Sequence, residues 1–145
     1  MADHFRYYLR VRYSECDAQK VVFNARYADY VDIATTEFLR ASCPDFGFIE
    51  YHLVKQTIEW KDPARFDQIL ELTVSVRHLG TTSFTIATEF RVAGQEQIIT
   101  RAETVNVLID ADTMQKTAIP PDLRAAFESG APEMVTDHAG YVSRT

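Results

Sequence analysis

Residues 5–42 read FRYYLRVRYSECDAQKVVFNARYADYVDIATTEFLRAS, and three patterns succeed one another within them. From Phe5 to Tyr13 the apolar side chains Phe5, Tyr7, Leu9, Val11 and Tyr13 recur at every second position, set against Arg6, Arg10 and Arg12. That is the two-residue period of a strand with one face buried and one wet, broken only by Tyr8 on the polar side. Residues 14–23 show no period and read as a connector. From Asn24 to Ser42 the period becomes three and four, so that Tyr27, Tyr30, Val31, Ala34 and Phe38 line one face of an α-helix. Asn24 is the expected N-cap, its side chain accepting an N–H that has no partner in the first turn. Asp29 and Asp32 early and Arg40 late suit the helix dipole, and Pro44 disfavours helical geometry at Cys43, where the helix should stop.

The chain downstream returns to strand patterns. Val54, Ile58 and Trp60 oppose Lys55, Thr57 and Glu59; Leu70, Leu72, Val74 and Val76 oppose Glu71, Thr73, Ser75 and Arg77; Phe84, Ile86, Phe90 and Val92 oppose Thr85, Glu89 and Arg91. Turns are expected at 61–65, 79–82 and 93–95. Residues 97–109 are β-rich without clean alternation and read as a central strand covered on both faces. Met114–Thr117 reads as a last short strand, and Pro120-Pro121-Asp122 opens a short helix through Phe127 that Gly130 ends. Residues 131–145 carry few apolar side chains and read as a loose tail behind a single domain of residues 1–130. One strand, one long helix, then four or five antiparallel strands make an α+β chain. One helix cannot cover both faces of such a sheet, so the sheet should curl around the helix and bury its remaining edges or faces against a second subunit.

Composition narrows the function. A chain of 145 residues with 46% apolar side chains builds one core without disulfide or metal support. A formal charge of -6 argues against nucleic acid and against anionic membranes. No apolar run approaches the ~20 residues of a membrane span, and the first residues do not form a signal peptide. Cys16 and Cys43 lack the spacing of a disulfide framework or a zinc site; both are expected to be reduced, in the cytoplasm. Glycine loops for phosphates and a G-x-S-x-G elbow are missing, and His4, His52, His78 and His138 are scattered, so no metal is expected. Glu15 and Asp17 flank Cys16 and oppose thiolate formation, which makes it a small apolar residue. What remains is Asp17, seven positions before Asn24, on a strand-to-helix loop. A helix start offers unpaired N–H groups that polarise a carbonyl, and a nearby carboxylate can attack that carbonyl or activate a water. The residues alone also read, more simply, as an Asx-turn in a solvent loop followed by a capped helix.

Residues 10–40, with the Asp17–Asn24–Tyr27 pattern at their centre, resemble the signature of the 4-hydroxybenzoyl-CoA thioesterase family of hotdog-fold proteins, with the Tol–Pal-associated acyl-CoA thioesterases as a close branch. The likeness continues through Val54–Trp60, Asp62–Asp67 and Leu79–Ser83 and fades after Thr117. It implies a hotdog fold and hydrolysis of a small or medium acyl-CoA to free acid and CoA, with no cofactor. It implies Asp17 as nucleophile or as base for water, and the backbone N–H of Asn24 on the thioester carbonyl. Part of the family has a His there whose assistance Asn24 cannot supply in the same way. Tyr13 matches a tyrosine near the aspartate in the Tol–Pal branch; a packed strand-end aromatic is the other reading. Substrate contacts are expected at Val22, Phe23, Tyr27, Lys61, Arg65, Thr82 and Ser83, with Arg77 and Arg101 as further phosphate partners; Tyr27 also reads as core. Two departures stand out. Gln19-Lys20 replaces a stretch where the family usually carries glycine, and Gly80–Ser83 lacks the basic run that some relatives use for CoA. The expected assembly is a homodimer or a dimer of dimers (a homotetramer), with the site between subunits. An acyl-CoA-binding hotdog protein without turnover is the alternative.

Overall fold

A computed structural model describes residues 4–144. In chain order it contains β1 (Phe5–Arg10), α1 (Arg26–Ser42), β2 (Tyr51–Trp60), β3 (Ile69–Leu79), β4 (Ser83–Val92), β5 (Ile98–Leu108), α2 (Pro121–Ser129) and β6 (Val135–Asp137), with 3-10 turns at Tyr13–Glu15, Pro44–Phe46 and Val142–Arg144. The strands form one sheet in the order β2-β5-β4-β3-β1-β6, antiparallel throughout except for the parallel β1–β6 pair.

The sheet wraps the long helix because its inner face is apolar where the helix lies. Leu70, Leu72 and Val74 of β3 and Phe84, Ile86 and Phe90 of β4 are all fully buried, with Leu72 directly opposite Phe90. The helix meets them with the stripe read from its period: Tyr27 packs 5.7 Å from Phe90, and Phe38 packs 5.9 Å from Phe5. Ala34 on the same stripe is fully buried, and its small side chain lets the helix lie close. Each large side chain so buried contributes about 1.5–3 kcal/mol. At one end α2 closes the core, Phe127 packing 4.7 Å from Phe84. One helix wrapped by a mostly antiparallel sheet is the hotdog architecture.

Four details differ from the expectations. The helix starts two residues late: Ala25 is the N-cap, no side chain caps the helix, and Asn24 lies in a turn. Strand β5 is not covered alike on both faces. Over its middle it alternates, with Thr100, Ala102, Thr104 and Asn106 buried against Arg101 and Glu103 exposed; the inward residues are small or polar, so the hydrophobic period is hidden. Met114–Thr117 forms no strand, only an isolated bridge from Lys116 to Ile109. The segment after Gly130 is not loose. Strand β6 pairs with β1, Tyr7 shares a 2.7 Å hydrogen bond with Nδ1 of His138, and Tyr141 stacks 4.9 Å from Tyr8. This cover explains Tyr8: the face of β1 away from the helix is wet in the alternation but roofed by the chain terminus.

Candidate active site

The connector between β1 and α1 doubles back on itself. Cys16 and Val22 face each other in an antiparallel bridge. The Phe23 N–H donates to the Glu15 carbonyl at 2.9 Å, and the Asp17 N–H donates to the Val21 carbonyl at 2.9 Å. The ladder sets Asp17, at the tip, opposite Val21, and its returning strand runs on through Phe23 into the helix. At the tip the Gln19 N–H donates to Oδ1 of Asp17 at 2.8 Å, and the Lys20 N–H donates to the Asp17 carbonyl at 3.0 Å. The Asx-turn of the simpler reading is therefore present, and it occupies one oxygen only; among the described residues Oδ2 has no partner. Lys20 takes a φ of +63°, the left-handed conformation that glycine would supply without a Cβ cost.

A second segment holds this loop from beside it. Val22 donates its N–H to the Ala64 carbonyl at 2.8 Å, and Phe66 donates to the Lys20 carbonyl at 2.9 Å. Val21 bridges Arg65, so the exposed Arg65 side chain stands next to the loop, with exposed Lys61 just past the end of β2. Exposed aromatic rings flank these segments: Phe23 on the loop, Trp60 6.1 Å from Tyr27, and Tyr13, 70% exposed and edge-on to the exposed Phe66 at 5.7 Å. Tyr13 is thus not a packed core residue of the isolated chain.

At the mouth of the helix Arg26 donates its N–H to Phe23 and Tyr27 donates to Asn24, while the N–H groups of Asn24 and Ala25 find no acceptor among the described residues. They are free donors at the positive end of a 17-residue helix. An oxygen placed against them would be stabilised as it gains negative charge. Cys16 offers no rival nucleophile: burial, then the charges of Glu15 and Asp17, push its thiol up. Among the described residues no three His, Cys, Asp or Glu side chains are grouped to hold a metal, and no helix is long and apolar enough to cross a membrane.

Other expected contacts lie elsewhere. Val22 is 3% exposed and belongs to the core. Tyr27 is buried, its hydroxyl accepting the Ala64 N–H at 3.1 Å, so it braces the loop and does not line a pocket. Thr82 and Ser83 sit at the far end of the sheet, one 11-residue strand from the Asp17 end, which is about 33 Å. Arg101 points to the outer face and pairs with Glu89 at 3.4 Å. Near that far end, where α1 finishes and β2 begins, a groove of about 700 Å³ is lined by Leu39, Cys43, Phe48, Ile49, Tyr51 and Leu53. The sequence reading missed it because its wall forms only when the 43–50 loop folds against the helix. It also passed over Glu15, a charged side chain buried behind Asp17.

One long helix wrapped by a mostly antiparallel sheet defines a hotdog-fold protein. The chain belongs to the thioesterase-like superfamily, whose family model matches residues 11–127. It is 30% identical over 129 residues to the acyl-CoA thioester hydrolase YbgC of Escherichia coli O6:H1, covering 86% of this chain and 96% of that one. It is 26% identical over 133 residues to the acyl-CoA thioesterase YbgC of Haemophilus influenzae, covering 85% and 93%. A solved gentisyl-coenzyme A thioesterase superposes with a TM-score of 0.72 at 27% identity, covering 84% of this chain and 98% of that one. A 1,4-dihydroxy-2-naphthoyl-CoA thioesterase from Synechocystis shares the fold with a TM-score of 0.73 at 21% identity, covering 85% and 94%. The protein is a thioester hydrolase.

Proposed function

We propose that this hydrolase acts on an acyl-CoA, releasing the free acid and CoA, with Asp17 and the Asn24 N–H as its working groups. The observation that carries the reading is a carboxylate oxygen without a partner at the tip of the connector hairpin and, seven positions on, a backbone N–H without an acceptor where the same hairpin enters the helix. The thioester oxygen sits against the Asn24 N–H, which favours the tetrahedral intermediate over the flat ester. Asp17 either takes a proton from the water that attacks the carbonyl carbon, or attacks it directly to give an anhydride that water then opens. In both routes the C–S bond breaks and the electron pair leaves on the CoA sulfur. The acyl-CoA substrate is supported by the names of the relatives.

The same reading places the site between two copies of the chain. Strand β2 is the long edge of the sheet, opposite the three-residue edge strand β6; most of its residues are exposed, with Leu53 and Val54 about half so. Antiparallel pairing of two such edges sets the Tyr51 end of one against the Trp60 end of the other. The groove near Cys43, and Thr82 and Ser83 of the partner subunit, then approach the Asp17 loop, supplying acyl and CoA contacts that a single chain lacks. A dimer, or a dimer of dimers, in the cytoplasm completes the proposal; Cys16 and Cys43 are free thiols, as suits a reducing compartment.

The test is thiol release from a panel of aliphatic and aromatic acyl-CoAs. Asp17→Asn should lower kcat by at least ~100-fold. Asn24→Ala should keep most activity and Asn24→Pro should lose it, because only proline removes the N–H. Ligand-induced melting shifts without thiol release would assign the protein to acyl-CoA binding instead.

A further inference from the structure

Among the described residues, Glu15 is the single buried charged side chain, 7% exposed, and both its oxygens are occupied. Oε1 accepts the Arg12 backbone N–H at 2.8 Å and the Tyr30 hydroxyl at 2.8 Å. Oε2 accepts two guanidinium N–H groups of Arg12, at 2.9 and 2.7 Å. Its backbone carbonyl takes the Phe23 N–H. One residue therefore joins the exit from β1, the early turns of α1 and the strand of the hairpin that leads into Asn24. Burial alone would push the Glu15 carboxyl up, but the Arg12 N–H, the Arg12 guanidinium and the Tyr30 hydroxyl hold it below the usual range. A buried anion is costly, and removing any one partner exposes that cost.

The placement of this anion matters for chemistry. Both sides of the Cys16–Val22 bridge start at Glu15: one leads through Cys16 to Asp17, the other through Phe23 to Asn24. Without the brace, the hairpin would pivot on its remaining bonds to Ala64 and Phe66. We propose that Glu15 is a positioning residue for thioester hydrolysis, bracing Arg12 against Tyr30 so that Asp17 keeps its direction toward the free N–H at the helix mouth. The inference rests on Asp17 acting as proposed above. Nothing about substrate affinity depends on it, because the reacting groups and not the binding surface are displaced.

The experiment measures kcat and KM for butyryl-CoA and benzoyl-CoA with Glu15→Gln, Tyr30→Phe, Asp17→Asn and the pairwise combinations with Asp17→Asn. Misalignment by about 1 Å costs up to ~100-fold in rate. Glu15→Gln should therefore lower kcat about 10- to 100-fold, and Tyr30→Phe about 3- to 10-fold, with KM changed less than about threefold. In the Asp17→Asn background either change should cost less than about twofold more, since its effect runs through Asp17. A lower melting temperature is expected of Glu15→Gln in either case; a merely structural residue would slow both backgrounds alike. Unchanged kcat in Glu15→Gln and Tyr30→Phe, or a full additional loss on top of Asp17→Asn, overturns the brace. Wild-type turnover in Asp17→Asn overturns the mechanism itself, and the brace with it. Tyr30→Phe deletes one hydroxyl and keeps the Arg12 bonds, so it carries the test if Glu15→Gln does not fold.

Discussion

Tyr27 and Ala64, 37 positions apart, meet where the Tyr27 hydroxyl accepts the Ala64 N–H at 3.1 Å. The Ala64 carbonyl in turn accepts the Val22 N–H at 2.8 Å, so one turn residue is held by the helix on one side and by the Asp17 loop on the other. Tyr27→Phe leaves that buried N–H without an acceptor. The expected cost is about 1–3 kcal/mol, read as a lower urea midpoint at unchanged slope. An unaltered midpoint would show that the bond contributes nothing.

Lys20 sits at φ +63° at the tip of the loop. Lys20→Gly removes a Cβ penalty of about 1–2 kcal/mol but adds roughly 0.4–1 kcal/mol of freedom to the unfolded chain. The net expectation is a gain between zero and about 1.6 kcal/mol, while Lys20→Val, β-branched, should be less stable than the wild type. Chemical denaturation of the three proteins checks the order, and the reverse order would contradict the left-handed turn.

Glu15 links stability to pH. Its folded value lies below the ordinary 4.5, so the stability it contributes is complete above about 4.5 and is lost as the pH falls through the folded value. Wild type should exceed Glu15→Gln by about 1–3 kcal/mol at neutral pH, and the gap should close as the pH is lowered below about 4.5. Melting curves at several pH values measure this; a gap that stays constant down to acid would mean that Glu15 is not an anion in the fold.

Truncation after Gly130 strips β6 from β1 and uncovers Tyr7 and Tyr8. Each aromatic loses burial worth about 1.5–3 kcal/mol, and the longer β1 replaces the short β6 as a sheet edge open to pairing. The truncated chain should melt well below the full chain and scatter light on standing, in contrast to a cut through a loose tail.

The long edge at β2 makes its own prediction. Leu53→Lys with Val54→Lys places charge on two of the half-exposed apolar residues of that strand. On the proposed dimer, sedimentation should show the wild type assembled and the variant as folded monomers, with thiol release falling in parallel because the proposed pocket loses its second wall. A variant that stays assembled would place the contact elsewhere.

Much of this molecule is local in origin. The alternation of β1, the helical stripe from Tyr27 to Phe38, the stop at Cys43 before Pro44 and the Pro121–Ser129 helix closed by Gly130 depend on neighbours a few residues away, so the chain states them openly. Asp17 on its Asx-turn is of that kind too. Other features depend on partners far along the chain. Thr100, Ala102, Thr104 and Asn106 turn inward because β5 is caught between β2 and β4, whatever their polarity. Glu15 is buried because Tyr30 and Arg12 converge on it, and residues 135–137 become a strand because β1 offers an edge. Thr82 and Ser83 are adjacent to the candidate site only in motif, since the length of β3 carries them away from it. Periodicity encodes which face of an element is apolar; what covers that face, and which polar groups meet beneath it, follows from closure of the sheet around the helix.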